Sequence, residues 1–242
     1  LDVVKVKQAR CQELVYIKEK EVWRKISRKE AIRKGMKIVG TRWIDINKGD
    51  RNNPWYRSRL VAQEFNTMKE LGTFAATPPL EALRMILSEA ATVDKEGQSG
   101  TKVVMINDVA RAFFEAVATR AICVEIPKGA RSEEDDKEDN VAILLKSLYG
   151  TRDAAANFQK EIRKFMAGLG FEIGRYNVST FYHRRRKMMV MVHGDDFVTA
   201  CERADARWFK SKLEERFEIK TKVIGNGKDE SQEETVLNRV VR

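Results

Sequence analysis

The stretch that decides the fold is Met188-Met189-Val190-Met191-Val192-His193-Gly194-Asp195-Asp196-Phe197-Val198-Thr199-Ala200. Two runs of β-forming residues flank a glycine, a pattern that reads as a hairpin. Two adjacent carboxylates at its tip repel each other in a half-buried turn. A divalent cation removes that penalty, and two-metal phosphoryl-transfer sites are built from acidic clusters of this kind.

Such a cluster needs a third carboxylate. Asp108 supplies it at the end of another strand-like run, Lys102-Val103-Val104-Met105-Ile106-Asn107-Asp108, and a short helix or turn is expected over Val109–Glu115. A strand-end Asp with an Asp-Asp hairpin is the carboxylate arrangement of a nucleic-acid polymerase palm. The pair Asp135-Asp136 serves as a control: it lies in Arg131–Asp139, a run with no apolar partner, and reads as a solvated loop.

The 242 residues allow one large domain or two small subdomains. The longest apolar stretches are far too short for a membrane span, and no signal peptide opens the chain. The first residue, Leu1 rather than Met, suggests a fragment or a piece of a polyprotein. Cys11, Cys123 and Cys201 are scattered, and with only His183 and His193 beside them no zinc spacing exists. A reducing, intracellular setting follows. The net charge of +10 is uneven: residues 1–60 hold 17 Lys/Arg against 7 Asp/Glu, so the surplus sits in the N-terminal quarter. Such a basic face is an electrostatic footprint for phosphate backbones, against the competing reading of general solubility; Trp23, Trp43, Trp55 and Tyr56, interleaved with it, tilt the balance slightly toward nucleic acid.

The periodicity predicts a helical region over 1–35, with Leu14, Ile17, Val22 and Ile26 as core contacts. A strand over Met36–Ile46, a turn and a returning strand over Trp55–Phe65 make a basic β-hairpin, about 36–65. Thr77-Pro78-Pro79 starts a helix of about 79–94. Strands are expected at 121–126, 141–145, 180–182 and 218–224, and helices at 153–169, closed by Gly170, and 204–217. From 102 onward the order is strand, helix, strand, strand, helix, strand, with insertions. That is the split βαβ, ferredoxin-like order. The fold class is therefore α+β with an antiparallel palm sheet, in which Asp108 meets a hairpin 87 residues away.

Five ordered motifs resemble the reverse transcriptase of copia-type long-terminal-repeat retrotransposons along nearly the whole chain. Gly40-Thr41-Arg42-Trp43 with Arg57–Phe65 looks like that family's fingers hairpin, and Pro79–Leu87 is similar to its fingers helix. Asp108-Val109-Ala110-Arg111-Ala112-Phe113 looks like the first carboxylate motif, and Lys146-Ser147-Leu148-Tyr149-Gly150 with Ala154-Ala155 the nucleotide-side motif. His193-Gly194-Asp195-Asp196 stands where the family has Tyr-Val-Asp-Asp, and Asp153-Ala154-Ala155 where it has Gln-Ala-Pro. The extra carboxylate of Asp153 implies weaker phosphate binding.

The resemblance implies fingers and palm of an RNA-directed DNA polymerase. Residues 1–101 would be an N-terminal extension and fingers, 102–224 a palm with a fingers insertion at about 120–150, and 225–242 the truncated start of a thumb. It implies Asp108, Asp195 and Asp196 as catalytic ligands of two Mg2+ ions, with Mn2+ as a substitute. Phe113 takes the place of the steric gate; a plain core aromatic is the competing reading, and Phe114 is the competing ring. Arg57 and Arg59, two apart on one strand face, would clamp triphosphate oxygens, against the competing reading of a solvated face. Tyr149 and Gly150 would meet the nucleotide. Partners would be an RNA template, a DNA primer-template, dNTPs, and integrase and ribonuclease H domains of one polyprotein, in a cytoplasmic particle or the nucleus. The rival is an inactive nucleic-acid-binding remnant; an RNA-templated RNA polymerase is suggested only by Gly-Asp-Asp.

Overall fold

A computed structural model describes residues 1–65, 75–92 and 102–242. The chain opens with α1 (Val3–Glu19), β1 (Trp23–Ser27), α2 (Arg28–Arg33), β2 (Lys37–Val39), β3 (Thr41–Asn47) and β4 (Tyr56–Ala62). It continues with α3 (Leu80–Ala91), β5 (Lys102–Val109), a 3₁₀ turn at Ala112–Glu115, β6 (Ile122–Val124), α4 (Glu133–Lys137) and β7 (Asn140–Leu144). It closes with α5 (Ala154–Gly168), β8 (Glu172–Ile173), β9 (Thr180–His183), β10 (Met188–His193), β11 (Asp196–Glu202), α6 (Arg203–Glu214), β12 (Ile219–Ile224), β13 (Glu234–Val236) and β14 (Arg239–Val241). Two compact units result: Leu1–Phe74 with Phe113–Phe158, and Ala75–Ala112 with Gln159–Arg242. No helix among the described residues is long and apolar enough to cross a membrane.

In the first unit a four-stranded sheet has the order β1-β7-β6-β2, and β3 and β4 form a separate hairpin. The Asp2 carboxylate accepts the Val4 and Lys5 amides and so caps α1, which packs against β4. Ile17, Val22, Leu60, Phe114, Val124 and Leu148 form the shared core. Three expectations are corrected here. The helical reading of 1–35 breaks at Glu21, whose φ is 50°; the β-formers after it pair with β7 as a strand. The expected strand over 36–46 is two strands in two sheets, because β2 joins β6 in parallel while β3 turns to β4. The acidic run is not a plain solvated loop. Ser132 and Asp135 close a capping box on α4, and the buried Asp135 carboxylate pairs with Lys25 at 2.5 Å, whereas Asp136 stays exposed.

The second unit is built on a six-stranded sheet of order β12-β5-β11-β10-β9-β8, antiparallel at each pairing. Side chains alternate between its faces. Val104 and Ile106 of β5, Val198 and Ala200 of β11 and Met191 of β10 lie under Leu83 and Ile86 of α3. α6 also packs on the sheet, where Phe209 meets Phe197 with ring centroids 6.3 Å apart. α3, grouped by the sequence with residues 1–101, thus packs on the six-stranded sheet; positions 93–94 of that expected helix lie outside the described residues. A small hairpin, β13–β14, turns through Leu237 and Asn238, both with positive φ.

Candidate active site

The β10–β11 hairpin turns through Gly194 and Asp195. Gly194 has φ 64°, and a two-residue hairpin loop of this kind wants glycine at its first central position. His193 and Asp196 face each other across the hairpin, and Asp196 in turn faces Asp108 on β5. On the far side of β5, Asp108 faces Lys220 of β12. The register therefore writes one row across four strands: Lys220, Asp108, Asp196, His193. Asp195 sits at the turn beside it, and its main-chain carbonyl accepts the Val109 amide at 3.0 Å. That bond ties the hairpin to β5. Row parity puts Asp108 and Asp196 on the face that also carries Ile106 and Val198.

Asp108 is exposed, while Asp195, Asp196 and His193 are half-buried. Burial above all, then the charges of Asp195 and Asp108, push the Asp196 carboxyl up to about 6; His193 opposes the rise. The smaller part owed to Asp195 and Asp108 is the like-charge repulsion expected of neighbouring carboxylates. Among the described residues no three His, Cys, Asp or Glu side chains stand as a closed ligand set for a metal ion. The three carboxylates are electrostatic neighbours rather than a finished cage. As donors they fit a hard divalent cation, which takes carboxylate oxygens and would cancel the repulsion that raises Asp196.

The expected nucleotide-side residues gather in the first unit. Arg57 and Arg59 share one face of β4, both half-buried. The Arg59 guanidinium lies 5.0 Å over the Tyr149 ring, a cation–π contact. Phe113 packs against the same Tyr149 ring, with centroids 4.8 Å apart. Phe114 is 1% exposed and belongs to the core, whereas Phe113 is half-buried; of the two rings, only Phe113 keeps an open side. Gly150 has φ 83°, and a Cβ there would fall 2.1 Å from the Ala62 carbonyl oxygen.

Two features escaped sequence reading. Lys220 looks like one lysine of an edge strand until the register sets it opposite Asp108. The second is a buried ion network. The Glu64 carboxylate, fully buried, accepts both Arg120 Nη groups at 2.8 and 2.9 Å, Lys37 at 3.1 Å and the Arg152 amide at 2.9 Å. Arg120 also donates to Asp153 at 2.6 Å. The Asp153 carboxylate is therefore paired with Arg120 and also accepts bonds from Thr119 and Asn157.

Burial alone would raise the Glu64 carboxyl, but Arg120, the Arg152 amide and Lys37 overcome it and hold it at about 2, against an ordinary 4.5. A depressed carboxylate stabilises the fold above its unfolded pKa and loses that contribution as pH falls through the folded value. At about 1.4 kcal/mol per unit, Glu64 contributes about 3 kcal/mol at neutral pH, lost between pH 4.5 and 2. Urea unfolding followed across this range should show that slope, and Glu64→Gln should flatten it; an unchanged slope in the variant would assign the acid sensitivity elsewhere.

Residues 20–226 match the family model described as reverse transcriptase (RNA-dependent DNA polymerase). The chain is 27% identical over 191 residues to the retrovirus-related Pol polyprotein from transposon RE2 of Arabidopsis thaliana. It is 28% identical over the same length to that from transposon RE1. The matched part is 76% of this chain and 12% of each relative, so the chain spans about an eighth of the polyproteins it resembles.

Proposed function

The chain belongs to the reverse transcriptase (RNA-dependent DNA polymerase) family, and on that premise we propose that it is the fingers and palm of a retrotransposon polymerase. It would add deoxynucleotides to a primer annealed to an RNA or DNA template. The observation that carries the reading is the row in which Asp108 and Asp196 lie directly opposite each other with Asp195 at the adjoining turn. The ferredoxin-like palm draws support from the strand order β12-β5-β11-β10, joined through α5 and α6.

In this reading Asp108 and Asp195 are the direct ligands of two Mg2+ ions, or of Mn2+ in their place, and Asp196 supports them. When bound, the ions supply the charge that activates the primer 3′-hydroxyl and stabilises the leaving pyrophosphate. The protein's own groups do the rest. The β10–β11 turn holds Asp195 in place through its main-chain bond to Val109. Arg57 and Arg59 bind triphosphate oxygens, for which a guanidinium fork is suited. Tyr149 and Gly150 present a ring and a bare backbone to the nucleotide. Template, primer and the other domains of a polyprotein, integrase and ribonuclease H, are the partners this role requires. A metal-dependent primer-extension assay tests it: binding of primer-template without extension would favour the inactive remnant.

Phe113 acts as the sugar filter, because its ring is braced against Tyr149 and Phe158 while one side stays open. Phe113→Val should admit ribonucleotides, raising kcat/KM for rNTP relative to dNTP by about tenfold to a hundredfold. That is the order seen when a pocket's methylene-scale contacts change. Unchanged sugar selectivity in single-nucleotide extension would return Phe113 to a purely structural role.

A further inference from the structure

The Arg120 network and the Tyr149–Gly150 turn are one construction. The turn is fastened to the end of β4 at three points. The Ala62 amide donates to the Tyr149 carbonyl at 2.7 Å, Gly150 lies so close to Ala62 that no side chain fits between them, and the Arg152 amide donates to Glu64 at 2.9 Å. Asp153 follows at once and opens α5, where its carbonyl accepts the Asn157 amide. Arg120 spans the two anions that flank the turn, bidentate on Glu64 and single on Asp153. Asn157 extends the set to Ser147, on the other side of Tyr149, with a 3.1 Å bond.

Removing one partner of a buried ion pair leaves an uncompensated charge. Among the described residues, loss of Arg120 would leave Glu64 with Lys37 as its charged partner and Asp153 with the neutral donors Thr119 and Asn157. Both ends of the turn would then be released together. The Tyr149 ring, packed at a tilt against Phe113 and under Arg59, would lose its fixed height over β4.

We propose that Arg120 is a positioning residue for nucleotide binding, holding the Tyr149–Arg152 turn against β4 through Glu64 and Asp153 so that Tyr149 and Arg59 meet the incoming nucleotide as a preformed pair. The inference rests on the nucleotide-side reading of Tyr149. Arg120 touches no substrate; it acts through the turn.

The test measures dNTP binding and single-nucleotide extension by the 242-residue chain on an annealed primer-template with Mg2+, together with amide exchange at Ala62 and Arg152. Arg120→Met, Arg120→Lys and Tyr149→Ala are compared. Arg120→Met should raise KM and Kd for dNTP by about tenfold to a hundredfold, the order that a 1 Å misplacement costs, with a smaller change in kcat. It should also speed exchange at both amides. Arg120→Lys, which keeps the charge and loses the fork, should fall between; should Arg120→Met fail to fold, this variant carries the comparison. A lowered Tm with unchanged KM and Kd would overturn the proposal and leave Arg120 a plain stabiliser. If Tyr149→Ala raises KM while the Arg120 variants do not, positioning fails alone. If Tyr149→Ala changes nothing, or the unsubstituted chain binds no dNTP, the nucleotide-side reading falls and takes the inference with it.

Discussion

Replacing Asp195 with alanine should cut templated DNA synthesis by about a thousandfold or more and leave the fold in place. A metal ion at a phosphoryl-transfer centre supplies several kcal/mol of transition-state stabilisation, and each 1.4 kcal/mol is about tenfold in rate. The fold should persist because the bond that ties this turn to β5 runs from the Val109 amide to the Asp195 main-chain carbonyl, which alanine keeps. Substitution also removes one of the two like charges that push Asp196 upward, so Tm should hold or rise slightly. The decisive pairing is therefore lost extension with an intact melting transition. Extension at the unsubstituted rate would remove Asp195 from the site, and loss of both signals would mean that its side chain is structural.

The hairpin behind this expectation was legible because it is local. Met188–Val192, Gly194 and Phe197–Thr199 state strand, turn and strand within thirteen residues, and a buried strand pair needs no distant information. The direct pairing of Asp108 with Asp196 was legible only as an order of elements. Its register is set by packing of Ile106 and Val198 under α3, which no local pattern writes. Asp135 was misjudged for the same reason: its partner Lys25 lies 110 residues away, so an acidic run that is solvated over most of its length hides one buried member. β1 was absorbed into a helix because Arg24 and Lys25 suit either state, and only pairing with β7 decides between them. Arg120 and Glu64 gave no local signal. A half-buried cation between two buried anions, drawn from three separate segments, exists only once the chain is folded.

Gly150→Ala should cost about 2–4 kcal/mol and most of the affinity for dNTP. Two terms add. A non-glycine residue at φ 83° pays about 1–2 kcal/mol for a left-handed backbone. The new Cβ would lie 2.1 Å from the Ala62 carbonyl oxygen and 2.5 Å from Val61 Cγ1. The first of these is backbone in a strand and cannot swing aside, so the turn must lift away. Lifting breaks the 2.7 Å bond from the Ala62 amide to the Tyr149 carbonyl, worth about 1 kcal/mol net, and shifts the Tyr149 ring from Arg59 and Phe113. Urea unfolding measures the stability term and dNTP titration the binding term. The contrast with Gly194→Ala isolates the cause: Gly194 also has positive φ, at 64°, yet its Cβ would meet nothing within 4 Å. That variant should therefore show the backbone cost without the displacement, about 1–2 kcal/mol. Equal losses at the two glycines would mean that the close approach of the turn to β4 carries no energetic weight.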